Sequence, residues 1–307
     1  MESYDVSIAM ATYQGEAYIH QQLISIRDQT LRPFEIIICD DQSSDRTLDI
    51  VQGFSENLNI LVFVNERPLG VVKNFEKAIS LCNSNYIALC DQDDVWIATK
   101  LEDDLKKMKI IEIDKEIPSL VFSDLEVVDE DLKLISHSLW KHLGANPARD
   151  NFYELLFGNV VTGCTIMLNH AFVKYLKNIP QEAIMHDYWA SLIAYGFGQV
   201  GIIEKPLVKY RQHRSNVTNN YKRSISNRAG TLFKTIRSQR NTFLEAELVQ
   251  AKRYHQLYED KLNKETLTAL ERFIELENDR FWKRKWQSVK SNHYWLRRIL
   301  NFVTNDN

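Results

Sequence analysis

No apolar run in the 307 residues approaches the ~18 that a membrane-spanning helix requires. The amino terminus, M-E-S-Y-D-V-S, shows neither a basic stretch nor an apolar one, which predicts a cytoplasmic protein without a secretory leader. Cysteine is scarce. Cys39, Cys82, Cys90 and Cys164 fit no zinc-ligand spacing, and three of them fall in strand-like apolar runs, so they read as reduced core residues. No segment repeats at a fixed period, which argues against a solenoid, and no tract is of low complexity, as in a folded protein.

Charge is spread unevenly along the chain. Residues 218–307 carry 18 Lys and Arg against 10 Asp and Glu, whereas residues 1–217 carry 20 against 31. The formal net charge of −3 therefore hides an acidic body and a basic end. We place a domain boundary near residue 217, with 218–307 as a helical, basic C-terminal region.

Apolar runs alternate with helical patterns along the body. Val6 to Ala11, Phe34 to Cys39, Ile60 to Val64 and Tyr86 to Cys90 read as strands. Between them lie helices over about 17–29, from Ser43 or Ser44 to about Phe54, and around Phe75, Ala78 and Ile79. This alternation predicts an α/β protein with an open parallel sheet and helices on both faces. Further strands are predicted near 120–124, 159–168 and 198–203, with helices over 171–177 and from Met185 onward.

Three groups of acids stand at element ends. Asp40 and Asp41 follow the second strand; Asp91, Asp93 and Asp94 follow the fourth; Asp187 opens a late helix. Carboxyl ends of parallel strands line up along one edge, where ligands bind. Clustered carboxylates repel one another unless something holds them, and a hard divalent cation does that. A calcium-binding EF-hand is excluded, because Val95 and Trp96 stand where a ligand and the turn glycine belong. The plainer reading is turn and helix-cap chemistry, which stays open for Asp41, Ser43 and Asp187.

Five pieces occur together: V-S-I-A-M-A-T-Y-Q-G-E (6–16), I-I-I-C-D-D-Q-S-S-D (36–45), L-G-V-V-K-N-F (69–75), L-C-D-Q-D-D-V-W (89–96) and M-H-D-Y-W (185–189). In that order they resemble the inverting glycosyltransferases of family 2, which have the GT-A fold, over residues 1–215. The D-Q-D-D-V-W form is similar to the branch containing bacterial rhamnosyltransferases of surface-polysaccharide assembly. The resemblance implies transfer of a single sugar, such as L-rhamnose, from a UDP- or dTDP-sugar to a glycan or lipid-linked acceptor. It also implies a role for each matching residue. Thr12, Tyr13, Glu16, Asp40, Asn74, Asp91 and Arg211 would bind the nucleotide. Asp93, with His213, would ligate Mg²⁺ or Mn²⁺. Asp187 would be the catalytic base, and Asp94, Trp96, His186 and Trp189 would line the sugar and acceptor pocket. A carboxylate at a helix N-terminus is favoured in its charged form, which suits a base.

Two departures stand out. Val72-Lys73-Asn74-Phe75-Glu76 keeps only the Asn of the family's usual segment, and His186 stands where Glu is common. The Q-x-x-R-W of processive synthases is missing, which favours single-residue transfer. Residues 281–303, with six Lys and Arg and no acid, carry Trp282, Trp286, Leu296 and Leu300 near one helical face. Such a helix fits an anionic membrane surface, the catalytic domain or a second subunit. Three other readings remain: a non-catalytic sugar-nucleotide binder, a sugar-nucleotide pyrophosphorylase and a nucleic-acid binder. A-T-Y-Q-G-E is not the glycine-rich phosphate loop of a pyrophosphorylase. The acidic body and the lack of any nucleic-acid module argue against nucleic acid as a partner.

Overall fold

The structure, a computed structural model, describes residues 6–147, 151–213 and 244–278. They group into two compact units, Met1–Trp140 with Val161–Arg211, and Lys141–Val160 with Gln212–Asn307.

The first unit is built on a mixed nine-stranded sheet. Its first half alternates strand and helix: β1 (Val6–Thr12), α1 (Ile19–Arg27), β2 (Glu35–Asp40), α2 (Thr47–Gln52), β3 (Ile60–Val64), α3 (Val71–Leu81) and β4 (Tyr86–Asp91). β1, β2 and β4 are covered on both faces, which is why their sequences are apolar without alternation. Ile19, Leu23 and Ile26 of α1, and Phe75, Ala78 and Ile79 of α3, form the stripes that bury against the sheet.

The second half is β5 (Val95–Trp96), α4 (Lys100–Ile111), β6 (Ser119–Val128) and β7 (Leu134–Ser136), then α5 (Leu139–Leu143) and, in the other unit, α6 (Phe152–Leu155). A 3₁₀ turn at Gly163–Thr165 leads to β8 (Met167–Asn169), α7 (Val173–Leu176), α8 (His186–Phe197) and β9 (Gln199–Arg211). The strand order is β3-β2-β1-β4-β8-β6-β9-β5, with β7 beside β6. β8 runs antiparallel to both β4 and β6, and β9 runs parallel to β6. The carboxyl ends of β1, β2, β3, β4, β6 and β9 therefore share one edge.

The sheet is mostly parallel, as the GT-A resemblance implied; β5, β7 and β8 run the other way. The apolar run 159–168 is strand only at its end. Gly163 is drawn out of the sheet, where its amide meets Asp187 Oδ2 at 3.1 Å. The last strand does not stop at Ile203 but continues to Arg211. Pro206 sits where the register against β6 shifts, a place that tolerates the missing N–H.

In the second unit α6 is joined by α9 (Glu245–Tyr258) and α10 (Lys264–Glu275). Asn151 and Asn263 cap α6 and α10 by accepting backbone amides at their first turns. Phe152 meets Tyr254 at 5.6 Å between ring centroids, and Phe157 meets Phe273 edge-on at 4.9 Å. The amphipathic 281–303 segment lies outside the described residues. No helix among the described residues is long and apolar enough to cross a membrane.

Candidate active site

Strand register assembles the edge. Thr12 is paired with Asp40 across β1 and β2, and Ala11 with Asp91 across β1 and β4. Asp40 is fully buried and accepts from Thr12 Oγ1 at 2.7 Å, Ser43 Oγ at 2.7 Å and Ser43 N at 2.8 Å. Asp41 accepts from the Leu69 and Gly70 amides and from Asn65 Nδ2, and so fixes the start of α3. The turn-and-cap reading therefore describes what Asp41 and Ser43 do here.

Asn74, which the resemblance placed at the nucleotide, is tied inside the fold. Its amide donates to Cys39 O at 2.8 Å and its oxygen accepts from Asn65, leaving it 2% exposed. Glu16 accepts from the Arg46 amide at the start of α2. Tyr13, by contrast, is 56% exposed at the edge, as a stacking platform should be.

The acidic turn between β4 and β5 is held from three sides. Arg211 donates from its backbone amide to Asp94 Oδ1 at 3.0 Å and from Nε to Asp93 O at 2.8 Å. Its other guanidinium nitrogens reach Glu130 O and Gln21 Oε1, and the group lies 4.8 Å from the centre of the Tyr18 ring. Arg211 is thus 2% exposed and braces the acidic turn, where the sequence suggested a diphosphate contact. The cause is the length of β9, which carries Arg211 into the sheet instead of a loop. Gln22 supplies the second hold when its side-chain amide is turned so that Nε2 donates to Asp94 O at 2.7 Å and Oε1 accepts from Trp96 Nε1 at 3.2 Å.

Gln92 supplies the third, and pattern reading missed it. Its amide accepts from Tyr13 N and donates to Tyr13 O, both at 2.9 Å. A Cβ on Gly15 would come within 2.3 Å of Gln92 Oε1, so any larger residue there would push this side chain from its place. The middle residue of D-Q-D was the available signal, because Gln is one of few side chains offering both a donor and an acceptor.

Trp96 lies in the core. It is 3% exposed, and Lys100 Nζ lies 4.7 Å from its ring centre. Lys100 itself is fully buried in an ion pair with Asp104 at 2.6 Å.

Burial, then the neighbouring Asp93 and Asp187 charges, pushes the Asp91 carboxyl up to about 8. Asp94 is held well above the usual carboxylate range by burial and by Asp93 and Asp91. The Cys164 thiol is the hydrogen-bond partner of the buried Asp94 carboxyl. One oxygen each of Asp91 and Asp94, with Cys164 Sγ, lie within 4.8 Å of one another. Carboxylates crowded in this way fit a cation, which would relieve their mutual repulsion.

Asp187 faces the same group. Its Oδ1 accepts from Tyr188 N at 2.6 Å and its Oδ2 from Gly163 N at 3.1 Å. Burial pushes the carboxyl up to about 6, against the pull of those amides. The helix terminus therefore does not dominate, contrary to the dipole argument, and the group gains proton affinity near neutrality.

His186 is stacked on Phe75 at 4.0 Å, and neither ring nitrogen has a hydrogen-bond partner. Burial holds its pKa down to about 3, so the ring is neutral. Trp189, which the resemblance placed at the sugar and acceptor pocket, is fully buried in α8. His213 is buried within the second unit.

Comparison with known proteins follows the same residues. The model for "Glycosyl transferase family 2" matches residues 7–176. The chain is similar to the dTDP-rhamnosyl transferase RfbG of Shigella flexneri, at 31% identity over 226 residues, covering 67% of this chain and 72% of the relative. It is also similar to WfgD of Escherichia coli, a UDP-Glc:alpha-D-GlcNAc-diphosphoundecaprenol beta-1,3-glucosyltransferase. There the identity is 34% over 226 residues, covering 72% of this chain and 82% of the relative. Among solved structures, S. aureus TarS in complex with UDP-GlcNAc shares the fold with a TM-score of 0.55. It is 18% identical and covers 88% of this chain and 81% of that one.

Proposed function

Given that the chain belongs to glycosyl transferase family 2 and is a glycosyltransferase, we propose that it is a metal-dependent, inverting enzyme of cell-surface polysaccharide biosynthesis. It moves one sugar from a UDP- or dTDP-sugar to a glycan or lipid-linked acceptor. The observation that carries this reading is the convergence of Asp187 with the acidic turn. The Asp187 charge bears on Asp91, and the turn holding Gly163 and Cys164 reaches both.

On this reading Tyr13 offers a face to the nucleotide base, and Asp91 and Asp93 sit at the diphosphate. Asp93, with Asp91, would hold Mg²⁺ or Mn²⁺. When bound, such an ion neutralises the charge that builds on the departing diphosphate. The Asp187 carboxylate takes the proton of an acceptor hydroxyl while that oxygen attacks the anomeric carbon from the side opposite the diphosphate. The new C–O bond forms as the old one breaks, so the anomeric configuration inverts.

The printed names of RfbG and WfgD point to deoxythymidine and uridine donors respectively, and that of WfgD to a diphosphoundecaprenol-linked acceptor. A rhamnosyl donor and a lipid-linked acceptor are the finer forms of the proposal. With such an acceptor, the basic segment 281–303 would lie on an anionic membrane surface. The test is isothermal titration of UDP- and dTDP-sugars, with and without Mn²⁺, into wild type and Asp93→Ala. One donor binding only with the metal, and lost in the variant, supports the reading. If no nucleotide sugar binds the folded protein, the reading is wrong.

A further inference from the structure

β3 stands at one end of the strand order, paired with β2 alone. Asn59 O accepts from Ile36 N and Asn65 N donates to Asp40 O, so the backbone of Asn59, Leu61, Phe63 and Asn65 serves β2. Strand groups alternate in direction, which turns the N–H and C=O of Ile60, Val62 and Val64 outward. No strand meets them among the described residues. Natural edges are blunted by charge, proline or a bulge. The run I-L-V-F-V has none of these, and Leu61, Val62 and Val64 are 44%, 42% and 52% exposed. Apolar surface continues onto α2 through a groove of about 270 Å³ lined in part by Leu48, Val51, Ile60 and Val62.

A bare edge does not name its partner; symmetry and charge do. The three outward residues are spaced two apart about Val62. An antiparallel second copy therefore sets Val62 against the partner's Val62, and Ile60 against the partner's Val64. Each pair exchanges two hydrogen bonds, about six in all. Leu61 meets the partner's Phe63, and no charge falls inside the ladder. The ends agree as well. The turn before β3 carries an exposed Glu56. The segment after β3 carries Glu66 and Arg67, with the Lys77 ammonium held on Asn65 Oδ1 at 2.7 Å. Antiparallel pairing brings the acidic end of each copy to the net basic end of the other, whereas a parallel copy would set like ends together. We propose that this chain forms an isologous dimer through β3, which joins two nine-stranded sheets into one. Its two-fold axis passes between the two Val62 residues. The acidic turn follows β4, three strands in from the joined edge, so the pairing does not cover it. Nothing in the pairing depends on what the site transfers.

The experiment uses the full-length, reduced protein without nucleotide. Sedimentation velocity should show a dimer that dissociates on dilution. Val62→Lys, which sets two ammonium groups on the axis, should sediment as a monomer and keep the wild-type circular dichroism. Glu56→Arg should weaken association about ten-fold, and adding Arg67→Glu should restore it. Cross-linking reads the register. Opposed residues of a hydrogen-bonded pair have Cα atoms about 5.5 Å apart, within disulfide reach. The native cysteines are all buried. On mild oxidation Val62→Cys should therefore give a disulfide-linked dimer and Val64→Cys should not, which also decides the matter if Val62→Lys does not fold. A wild type that stays monomeric, or forms another oligomer, overturns the proposal. So does a dimer that survives Val62→Lys, an affinity unmoved by Glu56→Arg, or cross-linking through Val64→Cys in place of Val62→Cys. The readout needs neither nucleotide sugar nor turnover, so failure of the dimer and failure of the transferase reading are told apart.

Discussion

Replacing Asp187 by Asn separates a catalytic base from a helix-capping residue, because the two roles predict opposite pH dependences of stability. Burial raises the carboxyl from 3.8 in the reference state to about 6 in the fold. A raised carboxyl contributes stability that is complete below about pH 4 and is lost as pH climbs through 6. The shift of about two units corresponds to about 3 kcal/mol, which partial solvent access reduces to about 1–3 kcal/mol. Asn loses one of the two amide hydrogen bonds at every pH, so that term cancels when two pH values are compared. Relative to wild type, Asp187→Asn should therefore gain about 1–3 kcal/mol between pH 4 and pH 8 in denaturant titrations. Its turnover should fall by about 10²–10⁴, the usual worth of a general base. In wild type, kcat/KM should drop about ten-fold from pH 7 to pH 5 as the base takes up its proton, and the variant should lack that acid limb. Parallel stability curves for the two proteins would refute the burial argument. Retained turnover in the variant would refute the base assignment.

Gln92→Ala removes both hydrogen bonds to the Tyr13 backbone, so donor affinity by calorimetry should fall several-fold to about 100-fold with little loss of thermal stability. Gly15→Ala should do the same by displacing Gln92, and unaltered affinity in both would remove Gln92 from the site. Arg211→Lys cannot span Asp93 O, Glu130 O and Gln21 together, so unfolding should become easier by about 1–3 kcal/mol. A residue that served only the diphosphate would leave stability unchanged. Lys100→Met strands Asp104 in the core and should cost about 3–5 kcal/mol in urea unfolding, whereas Lys100→Met with Asp104→Leu should recover most of it. A double variant as unstable as the single one would mean that packing, not charge, sets the cost.

The first half of the sheet was legible because β1, β2 and β4 are covered on both faces and the helices between them on one. Unbroken apolar runs then mark those strands, two of them ending at Asp40 and Asp91, and helical spacing marks α1 and α3. The second half was not, for two physical reasons. β8 spans only Met167–Asn169, so the apolar residues before it are buried by the 3₁₀ turn rather than by strand pairing, and composition does not distinguish these. β9 carries Glu204, Lys205 and Lys209 along a strand broken in register at Pro206, so its last third reads as a basic loop.

That misreading has a consequence for the site. A basic residue in a loop reaches outward to phosphate; the same residue at the end of a buried strand turns inward, and Arg211 then holds the acidic turn from behind. Trp96 and Trp189 follow the same rule, since an aromatic residue beside catalytic carboxylates can be the wall that desolvates them. The motif gave the positions of the acids correctly but not the direction in which their neighbours face. Direction depends on which element continues past the motif, and here it is β9, in sequence more than one hundred residues away from the turn it completes.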